Sequence, residues 1–84
     1  MWYVYVLKSQ VKNFRYVGYT SDLKRRLSEH NKGLNQSTKA FRPYQIEAYI
    51  GVNSIEKAKK LEKYFKTGSG RAVLRKRILM IDQF

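Results

Sequence analysis

Two short runs dominated by β-branched and aromatic residues open the chain, Trp2-Tyr3-Val4-Tyr5-Val6-Leu7 and Phe14-Arg15-Tyr16-Val17-Gly18-Tyr19, and both predict strands. The polar stretch 8–13 between them is short enough for a hairpin, so the two strands are expected to pair antiparallel. A helix should follow at once. Thr20, Ser21 and Asp22 are N-cap candidates, Leu23 and Leu27 stand four apart, and Asn31-Lys32-Gly33 supplies a stop. Residues 34–43 are polar and rich in breakers, which reads as a surface loop. Within Tyr44–Val52, Ile46, Ala48 and Ile50 alternate with other positions and predict a third strand. Asn53 with Glu56 has the form of a capping box ahead of Ile55, Ala58, Leu61 and Phe65, a helical stripe that Thr67-Gly68-Ser69-Gly70 is expected to close. The last apolar pattern, Val73, Leu74, Ile78 and Ile81, fits a further amphipathic helix over 71–81. The order is therefore β-β-α-β-α-α, an α/β (α+β) chain read as a single domain over residues 1–84. A chain of this size buries about 60–65% of its unfolded surface, which suits one small sheet with helices against it.

Composition narrows the partners. Lys and Arg number 18 against 6 Asp and Glu, for a formal net charge of +12, while 43% hydrophobic and 14% aromatic content is too rich for a disordered basic tail. Such a charge repels itself in the compact state, and a polyanionic partner accounts for it better than solubility does. Nucleic acid is the leading candidate. An anionic membrane surface fits less well, because no segment joins a basic face to a bulky apolar one. With no cysteine and one histidine, thiolate zinc sites, a cysteine nucleophile and an all-histidine metal cage are excluded, so any metal must be held mainly by oxygen. The longest apolar run, residues 1–7, is far short of a membrane span and lacks the basic flank of a signal peptide, so the expected compartment is the cytoplasm.

The candidate chemistry begins with two tyrosines. A hairpin centred between Gln10 and Val11 sets Tyr5 opposite Tyr16, with Gly18 opposite Tyr3 leaving a gap on the same face that could admit a ligand. The same residues also fit ordinary cross-strand aromatic packing with a bulge at the glycine. On the first helix Leu23, Arg26, Leu27 and His30 share one face and Arg25 lies on the other, so Arg26 and His30 are expected to face the sheet. An inward guanidinium suits a phosphate clamp, or else its stem covers the core while its head reaches water. His30 fits either a structural hydrogen bond or a site role. On the second helix Glu62 lies within the apolar face of Ile55, Ala58 and Phe65 and needs a partner: Arg26, a divalent cation, or a neighbouring lysine.

Taken together, Tyr3-Val4-Tyr5, Tyr16-Val17-Gly18, then Thr20, Leu23, Arg26, Leu27, His30 and Asn31, and the helix Leu61-Glu62-Lys63-Tyr64-Phe65-Lys66 resemble the GIY-YIG nuclease superfamily over about residues 2–80. The likeness is greatest to small stand-alone bacterial members related to the N-terminal nuclease domain of the excision-repair endonuclease. The resemblance implies a three-stranded antiparallel sheet flanked by helices and a divalent-metal-dependent endonuclease. Tyr5, Tyr16, Arg26 and His30 would be catalytic, and Glu62 would be both catalytic and the ligand of Mg²⁺ or Mn²⁺. Two features depart from the family pattern: the first motif lacks its Gly and Ile, and no asparagine follows Asn53, Ser69 being the nearest polar substitute. Thr38, Lys39 and Arg42 in the loop, with Lys63 and Lys66, are candidate nucleic-acid contacts. DNA is the expected substrate, within repair or recombination and a larger repair complex. The alternative is a non-catalytic basic nucleic-acid-binding module of the same fold, which would gain nothing from an inward Glu62.

Overall fold

The computed structural model describes residues 1–84. Strands β1 (Trp2–Ser9), β2 (Arg15–Thr20) and β3 (Tyr44–Val52) form an antiparallel sheet in the order β2-β1-β3. Helix α1 (Leu23–Asn31) lies between β2 and β3 in sequence, with a short 3₁₀ turn at Lys39–Phe41. Helix α2 (Ile55–Phe65) and α3 (Gly68–Val73) follow, and α3 continues into a wider π turn over Leu74–Leu79. No helix is long and apolar enough to cross a membrane.

The central strand explains why the first run is apolar throughout. Val4 and Val6 join Val17, Ala58, Phe65 and Leu74 on one face, under α2 and α3. Tyr5 and Leu7 join Tyr44 on the other, where Leu23 and Leu27 of α1 pack. A strand covered on both faces loses the alternation of a half-exposed one.

Three local features differ from the sequence reading. The hairpin register is shifted by two residues, pairing Tyr5 with Gly18 and Leu7 with Tyr16. The cause is the turn: Ser9 Oγ accepts from the Val11 and Lys12 amides and donates to the Phe41 carbonyl, and the Ser9 amide closes on Phe14 O at 2.9 Å, so the tip lies further along the chain. Because the side-chain period is two, the shift leaves Tyr5, Tyr16 and Gly18 on one face. In β3 the pairings Val6–Ala48 and Leu7–Ile46 leave Glu47 as an extra residue, a bulge that turns Ile46 toward Leu7 while Ile50 stays with Val4. One alternating pattern thereby serves both cores.

The helix starts complete the picture. Asp22 caps α1 by accepting from the Arg25 amide at 3.0 Å. Ser54, rather than Asn53, caps α2 by accepting from Lys57 N, so no Asn53–Glu56 box forms. Thr67 caps α3 by accepting from Gly70 N, and its hydroxyl donates to Tyr64 O at 2.7 Å. The segment expected to end α2 therefore also starts the next helix. A Cβ at Gly70 would collide with the Tyr64 carbonyl and Phe65 Cα, so glycine lets α3 begin against the end of α2.

Candidate active site

Tyr5, Tyr16 and Gly18 on the sheet, Arg26 on α1 and Glu62 on α2 line one cleft of about 360 Å³ at the β2 edge, with Trp2, Tyr19 and Ile55 forming its apolar margin. Each is placed by a simple constraint. Strand parity sets the tyrosines and Gly18 on one face, and the Asp22 cap fixes the phase of α1 so that Arg26 turns toward them. The apolar stripe of α2 carries Glu62 inward, leaving its side chain 18% exposed.

The gap over Gly18 is filled from within the chain. A Cβ there would lie 2.5 Å from the Tyr5 hydroxyl oxygen and 3.1 Å from Tyr16 Cε2, so the tip of the Tyr5 ring takes the space, in line with the cross-strand packing alternative and not with a ligand gap. Tyr5 is 2% exposed, and its hydroxyl lies 2.9 Å from His30 Nε2. Burial, then the neighbouring Tyr16 hydroxyl, pushes the Tyr5 phenol up to about 12, while Arg26 works in the opposite direction. The basic surroundings alone therefore do not lower Tyr5 into the range of a base at neutral pH. His30 is fully buried beneath the cleft, not in its wall, and burial followed by Arg26 holds it below its ordinary value, so the ring is neutral near pH 7. The Tyr5 and Tyr16 rings lie 6.5 Å apart, and the Tyr16 and His30 rings 5.3 Å apart.

The charged groups pair locally. Arg26 Nε is 3.1 Å from Glu29 Oε1, yet it is buried and poorly aligned for a hydrogen bond, and it has no other partner. Arg26 thus lines the cleft while its buried Nε lacks a well-formed acceptor. Glu62 is ion-paired with Lys66 one turn on, rather than with Arg26, and the Lys66 ammonium lies 5.4 Å from the centre of the Tyr16 ring. Lys66 and Lys63 are exposed, with Lys66 at the cleft mouth.

The loop candidates divide. Lys39 is exposed, and Arg42 is exposed with its guanidinium folded over Gly33 and donating to Lys39 O at 3.0 Å. Thr38 is turned inward: it is 1% exposed, and its hydroxyl lies 2.6 Å from His30 Nδ1, out of reach of a nucleic-acid backbone. Ser69 is exposed in the first turn of α3 and does not line the cleft. Trp2 and Tyr19, whose rings pack at 6.2 Å, were not singled out in the sequence; their places at the outer ends of β1 and β2 were the available signal.

No group of three or more His, Asp or Glu side chains converges anywhere in the structure. The cleft offers one carboxylate, Glu62, beside phenol oxygens. That donor set fits a hard divalent cation that keeps several waters and takes further oxygens from a phosphate. It does not fit a metal that needs a closed cage.

Comparison with known proteins identifies the family. A family model described as the GIY-YIG catalytic domain matches residues 1–76. A UPF0213 protein of Streptococcus pyogenes serotype M5 is 38% identical over 71 residues, covering 83% of this chain and 76% of the relative. A UPF0213 protein of Streptococcus agalactiae serotype V is 37% identical over 73 residues, covering 86% and 82%. No solved structure gives a significant match. With nearly the whole chain matched, the protein belongs to the GIY-YIG nuclease family.

Proposed function

We propose that this protein is a divalent-metal-dependent endonuclease that hydrolyses phosphodiester bonds in DNA of the nicked or branched kind met in repair and recombination. The observation that carries the reading is the convergence of two tyrosines, an arginine and an inward glutamate on one cleft of a chain with net charge +12. A binding module would need the charge but not the buried-side carboxylate.

Glu62 would hold Mg²⁺ or Mn²⁺. Once bound, the cation supplies positive charge against the scissile phosphate and the leaving oxygen. Arg26, whose side chain lines the cleft, donates to a non-bridging phosphate oxygen where negative charge grows during attack. Tyr5 carries the proton of the attacking water. The water oxygen bonds to phosphorus, the phosphorus–oxygen bond to the leaving strand breaks, and solvent protonates that oxygen. Burial makes the phenolate costly: even with Arg26 beside it, two pKa units above 10 correspond to about 3 kcal/mol, which the added cation must offset. Tyr16 orients the water or a phosphate oxygen, and its ring shields the Tyr5–His30 pair from solvent. Lys66, released from Glu62 when the carboxylate takes a cation, is free to meet the incoming strand. Lys39, Arg42 and Lys63 add sequence-independent phosphate contacts.

Incubation with labelled nicked, branched and single-stranded DNA, with Mg²⁺, with Mn²⁺ and with a chelator, tests the proposal. Metal-dependent strand scission supports it. Tight binding without scission under every condition favours the non-catalytic module instead.

A further inference from the structure

Thr38 reaches the site through His30. Its hydroxyl, 2.6 Å from His30 Nδ1, makes no other hydrogen bond, and the residue is buried and lines no cavity, so water does not supply one. Its backbone is held on both sides: the Thr38 amide donates to Asn35 O at 3.2 Å, and the Thr38 carbonyl accepts from the Tyr44 hydroxyl at 2.7 Å. Tyr44 is itself clamped by Asn31, whose side chain donates to Tyr44 O and accepts from Tyr44 N. The threonine side chain is thus presented to the imidazole by a rigid frame.

A neutral imidazole has one N–H and one bare nitrogen, so the chain Thr38–His30–Tyr5 can be wired in two ways. If His30 carries its hydrogen on Nδ1, that hydrogen goes to Thr38 Oγ1, Tyr5 donates to Nε2, and the threonine hydrogen is left buried without an acceptor. If the threonine donates to Nδ1, the hydrogen sits on Nε2 and goes to the Tyr5 oxygen. Tyr5's own hydrogen then turns toward the cleft that Tyr5 lines, where water can accept it. The second wiring turns the one spare hydroxyl hydrogen toward the cleft, whereas the first strands it in the interior, and a stranded buried donor is costly.

We infer that Thr38 is a positioning residue whose hydroxyl fixes His30 as the Nε2–H tautomer, so that the imidazole donates to the Tyr5 oxygen and Tyr5's proton faces the cleft. Donation to that oxygen favours the phenolate over the phenol and opposes the effect of burial. The Tyr5 proton accordingly leaves through the cleft to water, not to His30. The water that attacks the phosphate returns a proton to the same oxygen.

The kinetic part of this inference rests on the nuclease reading, but the tautomer does not. The chain has one histidine, so ¹⁵N-histidine labelling of the wild-type protein gives an unambiguous pair of ring-nitrogen signals. Hydrogen on Nε2 near pH 7.5 is the expected result, and hydrogen on Nδ1 overturns the inference whether or not the protein cuts DNA. In cleavage assays with Mg²⁺, Thr38→Val, which keeps the shape and loses the donor, should lower kcat about tenfold or more with KM little changed and move the alkaline rise of the pH profile upward. Thr38→Ser should return kcat to near wild type. A Thr38→Val protein with wild-type kcat and pH profile contradicts the inference. A wild type with the Nε2–H tautomer that cuts nothing supports the wiring and counts against the nuclease reading instead.

Discussion

Replacing Gly18 with alanine would put a methyl carbon 2.5 Å from the Tyr5 hydroxyl oxygen, 2.7 Å from Tyr5 Cζ and 3.1 Å from Tyr16 Cε2. Neither ring can retreat freely. Tyr5 is packed with Leu7 and Tyr44 and held to His30 at 2.9 Å, and Tyr16 lies against the same imidazole. The Gly18 backbone is not left-handed, so the change probes packing and not backbone strain. Overpacking a filled site costs about 1–3 kcal/mol, and displacing the Tyr5 hydroxyl from His30 adds about 1 kcal/mol or more for the unpartnered buried nitrogen. The expected loss is about 2–4 kcal/mol, a fall in Tm of roughly 10–30 °C for a domain of this size. A displacement of about 1 Å at the base should also cut cleavage by about 100-fold. Thermal unfolding followed by circular dichroism, beside a cleavage time course below both melting points, measures the two effects separately. A Gly18→Ala protein that melts within about 2 °C of wild type would refute the close contact on which the site's geometry depends.

The remaining predictions concern charge and protonation. Because burial and Arg26 hold His30 below 6.5 in the folded chain while Glu29 opposes them, the unfolded state takes up the proton first as pH falls. Stability from this group is therefore full above about pH 6.5 and lost below it, and urea midpoints between pH 7.5 and 5 should show an acid limb that His30→Gln flattens. Tyr5 acts at the other end: its folded value of about 12 against 10 means stability is lost as pH rises from 10 toward 12, and Tyr5→Phe removes that loss. Arg26→Ala should lower cleavage by about 100-fold or more and weaken binding as well, and Arg26→Lys should not restore cleavage because a lysine lacks the planar fork; single-turnover rates and fluorescence anisotropy check both. With roughly four phosphates neutralised, affinity for a short duplex should fall about 100-fold between 50 and 200 mM salt, and an affinity that hardly changes would argue against phosphate recognition.

Much of this site was legible because strand and helix periods are strict. Parity alone put Tyr5, Tyr16 and Gly18 on one face, and it survived a register error of two because the period is two. Helical phase separated Arg26 from Arg25 and turned Glu62 inward among apolar neighbours. The chain did not reveal what depends on contacts between distant segments. Ser9 fixes the hairpin tip partly through Phe41, and Thr38 meets His30 only once the loop folds back over α1. Polarity placed Thr38 on the surface, whereas its hydroxyl turns inward to His30. The bulge at Glu47 was equally hidden, since alternation in β3 gives no sign that Ile46 and Ile50 face different cores. The ion pair of Glu62 with Lys66, among the partners considered, follows from their spacing of one helical turn.

The central claim is that Glu62 anchors the metal in a cleft where the other groups act on a phosphate. Glu62→Gln keeps the side chain's shape and removes the charge, and it also frees Lys66, which adds a cation for the strand. Cleavage of labelled nicked or branched DNA at fixed Mg²⁺, measured beside binding of the same DNA in a chelator, is the most direct test. The account predicts that Glu62→Gln loses cleavage by about 100-fold or more while binding is retained or strengthened. Cleavage at the wild-type rate by Glu62→Gln would contradict it, because the metal would then be held elsewhere.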